Sequence, residues 1–402
     1  MLCFLGHYLP GYRYGGPLRS VANIVAQLAD ELRFHIVTSH HDYQDRQPYS
    51  GIRLNRWQSV GRAEVYYMNK LDLNLLSVGS IVRATPHDLI YLNSVFSYRF
   101  SILLLLARRL GRLGGQPVLV ASRGELGAGA LGLSRSRKRV YLRLARQLGL
   151  FRGLHWQASS DQEVGEIMAA VGAPASHVHV APNLADLAPD PALMPDGEPD
   201  GAGDDSPDSD PEVVSTPLSI AFLSRISRKK NLIYALELIG RLRHRLPVPP
   251  RFHIYGNVCD DAYWSECRQL IDRHGLEPLV QVHGPLPHQQ VRSTLASHDL
   301  FLLPTLHENY GHVIMEALAA GTPVLISDQT PWADVPAHGA GWVCRLDEPD
   351  AFVDAALALA ALPAGERRRQ RRRACRYAAA RANDPTVLQR NRRLFQEVAR
   401  GG

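Results

Sequence analysis

A chain of 402 residues is too long for one ordinary hydrophobic core, so at least two domains are expected. With 45% hydrophobic and 21% charged residues it is a globular chain and no polar, disordered one. Its formal charge of +6 favours anionic partners such as nucleotide phosphates or acidic lipid without choosing among them.

Five scattered cysteines, odd in number and without a CxxC pair, exclude a disulfide framework or zinc site and point to a reducing cytoplasm. The first residues lack the order of a signal peptide. The longest greasy stretch, 102–107, is far too short to span a bilayer, so any membrane contact is expected at the surface.

In chain order, LCFLG at 2–6 reads as a buried strand. Pro17 to Leu32 follows with helical periodicity, placing Val21, Ile24, Val25, Leu28, Ala29 and Leu32 on one face. FHIVTS, DLIYLNS, PVLVAS, LHWQASS and HVHVAPN are further strands with helical patterns between most of them. Such alternation implies a parallel sheet covered on both faces.

Residues 186–216 break the pattern: the stretch 189–216 holds nine acidic residues and no basic one, with many Pro and Gly, and reads as a linker or insertion. The alternation restarts with LSIAFLS, a helix over 231–246, FHIYG, VQVHG, DLFLLPT, PVLIS and GWVCRL. The boundaries expected are 1–185, 186–216, 217–384 and a closing helix over 385–402. The basic run RRRQRRR at 367–373 reads as a solvated helical face or as a contact with an anionic membrane. No aromatic residue interleaves it, so nucleic acid is not expected as a partner.

The most informative stretch is LLPTLHENYGHVIMEALAAGTPVLISD at 302–328. A strand ends near Thr305, and a helix starts near Gly311 and stops at Gly321. Free N–H groups and the helix dipole at that start suit a diphosphate. Carboxylates such as Glu308 and Glu316 suit the paired hydroxyls of a sugar or ribose. A second signal is SRISRKKNL at 224–232, where Arg225 and Lys230 at a strand's carboxyl end can neutralise a departing diphosphate. Asn231 is placed to cap the next helix. The third is HYLPGYRYGGP at 7–17, in which Gly15 and Gly16 precede a helix with Pro17 at its first position. A GxGxxG spelling at 127–132 lacks the strand and acidic residue that a dinucleotide site needs.

Glu308-N-Y-G-H-V-I-M-Glu316 with the following ALAAGTPV resembles the E-x7-E motif of GT4-type retaining glycosyltransferases. Arg225 and Lys230 match that family's R-x4-K pair. The resemblance implies a GT-B fold: two Rossmann-like, doubly wound α/β domains with an intervening cleft. It implies transfer from a UDP- or GDP-sugar to a glycan or lipid-linked acceptor, as in surface polysaccharide biosynthesis, without a catalytic metal. A non-catalytic nucleotide- or sugar-binding protein on the same fold is the alternative.

The resemblance makes Glu308, Arg225 and Lys230 catalytic. It assigns Glu316, Tyr310, Gly311, His312, Val313, Gly15 and Gly16 to the donor. His7 and Arg123 fall to the acceptor side, Arg123 standing where the family often carries His. The protein is then expected in the cytoplasm or at the inner face of the plasma membrane.

Overall fold

The computed structural model describes residues 1–127, 135–186 and 216–401, with the backbone alone at Arg135 and Ser136. But for its two end residues, the expected acidic linker lies outside the described residues. So does the GxGxxG spelling beyond Gly127. The chain divides into two compact units, Met1–Asp186 with Asp384–Gly402, and Leu187–Asn383.

The first unit is built on β1 (Leu2–Phe4), β2 (His35–Ser39), β3 (Trp57–Val60), β4 (Ala63–Met68), β5 (Ile90–Leu92), β6 (Val118–Ala121), β7 (His155–Ala158) and β8 (Val178–Val180). Their order is β3-β4-β2-β1-β5-β6-β7-β8, parallel except for the antiparallel pair β3–β4. That hairpin was not expected, although AEVYYM alternates buried and half-buried residues after a turn at Gly61. Strand order reverses direction between β1 and β5, and open α/β sheets bind ligands at the carboxyl ends of strands beside such a switch. Helix α1 (Gly16–Leu28) leaves β1's loop there and buries Leu18, Val21, Ile24, Val25 and Leu28. Pro17 is its second residue, not its first.

Among the described residues, the remaining α-helices of this unit up to residue 186 are α2 (Leu75–Ala84), α3 (Leu103–Arg109), α4 (Arg135–Gln147) and α5 (Asp161–Val171).

The second unit carries β9 (Ser219–Leu223), β10 (Arg251–Tyr255), β11 (Val280–Gly284), β12 (Leu300–Leu303), β13 (Val324–Ser327) and β14 (Gly341–Cys344). The order β11-β10-β9-β12-β13-β14, all parallel, is the doubly wound 3-2-1-4-5-6 arrangement. Its switch point lies between β9 and β12. The inner strands β12 and β13 are buried along their whole length because helices cover both faces; Leu300 to Leu303 are all buried. The covering helices are α6 (Leu232–Arg245), α7 (Asp261–Arg273), α8 (His288–Ala296), α9 (His312–Ala319), α10 (Pro349–Ala361) and α11 (Ala364–Ala382).

The arginine run lies on α11, where two of its members work inside the unit. Arg367 donates to the carbonyls of Ala360 and Leu362, and Arg371 to those of Ala296 and His298. These are carbonyls at helix ends that would otherwise lack partners. The last helix, α12 (Pro385–Ala399), opens on Asp384, whose side chain accepts from Thr386 N at 2.9 Å. It buries Leu394, Phe395 and Val398 in the first unit's core, each contributing about 1.5–3 kcal/mol by area burial. Asn391 donates to Pro182 O at 2.8 Å, and Arg392 forks onto both carboxylate oxygens of Glu31 at 2.6 Å.

Candidate active site

The carboxyl end of β9 feeds residues 224–231, and a close backbone approach fixes their path. A Cβ at Gly256, φ +133°, would stand 1.8 Å from Ser224 O, so only glycine lets the two loops meet. Ser224 N bonds Tyr255 O at 3.0 Å, and Ile226 N bonds Asn257 O at 2.9 Å. A single 3-10 turn, Arg228–Lys230, then lifts Lys230 toward β12's exit loop. The carbonyl of Lys229 accepts from Leu306 N at 2.8 Å and from Thr305 Oγ1 at 3.0 Å, tying the two switch-point loops together. Asn231 stands before α6 in the left-handed region, φ 57°, and its side chain makes no cap bond; the expected capping role is therefore corrected.

That tie sets Lys230 Nζ against Glu308 Oε2. Both side chains are nearly buried, at 11% and 13% exposure. Burial pushes the Glu308 carboxyl up, but the charge of Lys230 and then Lys229, the Lys230 hydrogen bond and the charge of Arg225 outweigh it. The carboxyl is held below its usual range. Glu308 is thus an ionised acceptor at neutral pH. Arg228 turns away instead, onto Glu266 and over the Tyr263 ring, which leaves Arg225 and Lys230 as the cations of this loop that act with Glu308 alongside Lys229.

Helix α9 begins directly beyond. Gly311 precedes it at φ +84°, where a Cβ would meet Ile314 Cδ1 at 2.8 Å and Glu308 Cγ at 3.1 Å. Glycine is required both for the conformation and for the space beside Glu308. No side chain caps the helix and no acid lies in its first turn, so the amides of His312 and Val313 stand at the positive end of its dipole. Tyr310 packs 4.7 Å from the His312 ring and 5.7 Å from Trp332, whose Nε1 donates to Tyr310 O. Burial, opposed by Arg381, pushes the Tyr310 hydroxyl up to about 12. Glu316 lies mid-helix with its carboxylate 3.7 Å from His288 Nδ1 at the start of α8. Neither Trp332 nor His288 carried a sequence signal that marked it for this site.

In the first unit, the loop after β1 is held by buried Asp42, which accepts from Tyr12 N at 2.8 Å and Arg13 N at 3.1 Å. His7 Nδ1 bonds His41 O at 2.9 Å, and its ring lies 4.9 Å from Tyr14. Burial holds the imidazole below its ordinary range, against the opposing pull of the His41 carbonyl and Asp42. Gly15 takes φ +74°, ψ −138°, with open space where a side chain would stand.

Arg123, itself at φ 51°, is the hub of a network. Its guanidinium donates to Asn93 Oδ1 at 2.8 Å, Tyr91 OH at 2.5 Å and Asn183 Oδ1. Asn93 in turn donates to Pro17 O at 2.8 Å, just past the Gly15–Gly16 pair. Among the described residues, no three His, Cys, Asp or Glu side chains come together as a metal site. No described helix is long and apolar enough to cross a membrane.

Two family descriptions match the chain: a glycosyl transferase 4-like domain over residues 15–184 and glycosyl transferases group 1 over 208–381. WcaL of Escherichia coli (strain K12) is 29% identical over 159 residues, 38% of each chain. The GDP-mannose:cellobiosyl-diphosphopolyprenol alpha-mannosyltransferase of Xanthomonas oryzae pv. oryzae is 29% identical over 143 residues, 35% of this chain and 37% of its own. The chain thus spans less than two fifths of these curated relatives. HepE of Anabaena, solved with UDP and glucose, matches with a TM-score of 0.68 at 18% identity, over 99% of this chain and 98% of its own. That match shows the shared GT-B fold.

Proposed function

The chain belongs to the group 1, GT4-type glycosyltransferases, and we propose that it moves a sugar, with retention, from a nucleoside diphosphate sugar to a glycan or lipid-linked hydroxyl. The observation that carries this reading is the Lys230–Glu308 pair, set at a switch point beside the open start of α9. A cation, a second cation in range and the positive end of a helix dipole converge where a pyrophosphate would lie. An ionised carboxylate stands beside them to accept sugar hydroxyls.

Arg225, Lys230 and the amides of His312 and Val313 stabilise the departing diphosphate, and no metal is needed for that task. The acceptor hydroxyl attacks the face that the leaving group vacates, and the diphosphate takes its proton. Glu308 orients the transferred sugar and Glu316 the ribose. Of the first unit's residues, Gly15 and Gly16 are assigned to donor binding, and His7 and Arg123 to the acceptor side. The relatives support UDP or GDP as the nucleotide: one is named for GDP-mannose and another was solved with UDP and glucose. Polysaccharide or lipid-linked glycan assembly at the cytoplasmic face of a membrane is the setting we infer.

A panel of nucleotide sugars screened by thermal shift tests the reading. The true donor raises stability by about 2.7 kcal/mol at a hundredfold excess over its dissociation constant. Mass spectrometry with that donor then shows a glycosylated product. Stabilisation by none of the panel contradicts the reading.

A further inference from the structure

Of the four residues that α12 buries, Asn391 alone is polar. It is 0% exposed, as is Tyr91, and Asn93 and Gln157 are 2% exposed. At that burial bulk water does not serve polar side chains, so each donor and acceptor has to be met by the protein or costs free energy.

These groups are met in series. Arg123 donates to the Tyr91 hydroxyl, which donates to Gln157 Oε1 at 2.8 Å. Gln157 Nε2 donates to Ala181 O at 2.9 Å and to Asn391 Oδ1 at 3.3 Å. Asn391 Nδ2 closes this arm on the carbonyls of Pro182 and, at 3.0 Å, Val387. On its other side Arg123 donates to Asn93, and Asn93 to Pro17 O. A guanidinium only donates and a backbone carbonyl only accepts, so every amide between them has one orientation, and each bond polarises the next.

The two arms join the last helix of the chain to the first turn of α1, directly after Gly15. The middle of α1 is held separately, Asn23 donating to Leu184 O at 2.8 Å and Gln27 to Ala185 O at 2.6 Å. What the series governs is therefore the first turn and the glycine pair that opens it. Gly15 stands in open space, with no atom within 4 Å of where a side chain would be, so packing does not fix it there.

Resting on the assignment of Gly15 and Gly16 to the donor, we infer that Asn391, Gln157 and Tyr91 are positioning residues for that glycine loop, acting on it through Arg123 and Asn93. A change on α12 is felt at the opposite end of the series. The three side chains set the loop's place and touch no substrate.

Hydrogen–deuterium exchange of the full chain tests this, because amide exchange reports local opening and needs no substrate. Tyr91→Phe and Asn391→Leu each raise exchange over residues 13–19 about tenfold. The double variant exchanges there no faster than either single variant, since a series cut twice is cut once. Ile167→Val, a truncation in the same unit's core outside the series, leaves 13–19 at the wild-type rate. Tyr91→Phe keeps its ring against Phe395, 5.8 Å away, and carries the test should Asn391→Leu fail to fold. Nucleotide release from UDP-glucose and from GDP-mannose gives the functional arm: both variants lower kcat about tenfold, while UDP titrates into them as into wild type. A wild type that releases nucleotide from neither contradicts the donor reading for these two sugars, and exchange then decides the role of the series alone. Wild-type exchange over 13–19 in the variants, additive increments in the double variant, or wild-type kcat in a variant whose loop has loosened would each overturn the inference.

Discussion

Lys230 and Glu308 stand 78 residues apart in sequence and meet as a nearly buried ion pair at the switch point of the second sheet. Neither is placed by its own loop alone: the Lys229 carbonyl, taking Leu306 N and Thr305 Oγ1, holds one loop against the other. The donor site proposed above is therefore assembled by the fold itself, and an incoming diphosphate is expected to share Lys230 with Glu308.

Breaking the pair by Lys230→Ala strands a buried carboxylate and should cost about 3 kcal/mol of stability at neutral pH. The pH dependence then changes sign. In wild type the Glu308 carboxyl is depressed, so its stabilisation is present above the ordinary carboxylate range, about 4.3, and is lost as pH falls through the folded value. In Lys230→Ala burial dominates and raises the carboxyl, so stability is lost as pH rises through the new value. Urea unfolding of both proteins across the acid range checks this. Parallel profiles would contradict it.

Gly311→Ala forces a side chain into φ +84° and within 2.8 Å of Ile314 Cδ1. The left-handed conformation alone costs about 1–2 kcal/mol. Because the new methyl also meets Glu308 Cγ, turnover should fall further than nucleotide affinity. Denaturant midpoints and the separate kcat and KM of the variant measure the two effects.

Arg123→Ala removes one donor each from Asn93, Asn183 and Tyr91 and should destabilise the first unit by about 2 kcal/mol. Transfer should fall as Asn93 loosens from Pro17, with UDP affinity unchanged because Arg225 and Lys230 lie in the other unit. Arg123→Lys should recover only part of the activity, since an ammonium cannot reproduce the planar fork. Calorimetric titration of UDP alongside initial rates separates these outcomes.

Phe395→Ala on α12 empties a fully packed position of the first unit's core, 1% exposed, and should cost about 3–5 kcal/mol. Thermal unfolding resolved by unit should show the loss in the first unit alone.

Much of this was legible in the sequence because apolar runs of four or five residues mark buried strands. Every such run named from LCFLG to GWVCRL falls on a strand. The hairpin Trp57–Met68 escaped because its half-buried alternation is weaker than a continuous apolar run. At the site, Gly311 and the helix after it were readable, since a positive φ at a helix start calls for glycine. Asn231 misled: a good capping residue by type, it takes instead the left-handed turn that Asn tolerates. The partners Asn93, Trp332 and His288 were not legible. Each acts through a contact with a residue distant in the chain, and no local pattern encodes that meeting.

The claim on which the account turns is that Lys230 and Arg225 grip the donor pyrophosphate while Glu308 serves the sugar. Equilibrium titration of UDP and GDP into wild type, Glu308→Gln and Lys230→Ala tests it most directly, read beside initial transfer rates. The account predicts that Glu308→Gln binds the nucleotide at least as tightly as wild type, with transfer reduced about a thousandfold, and that Lys230→Ala loses both binding and transfer. Undiminished nucleotide affinity in Lys230→Ala, or near wild-type transfer in Glu308→Gln, would contradict it.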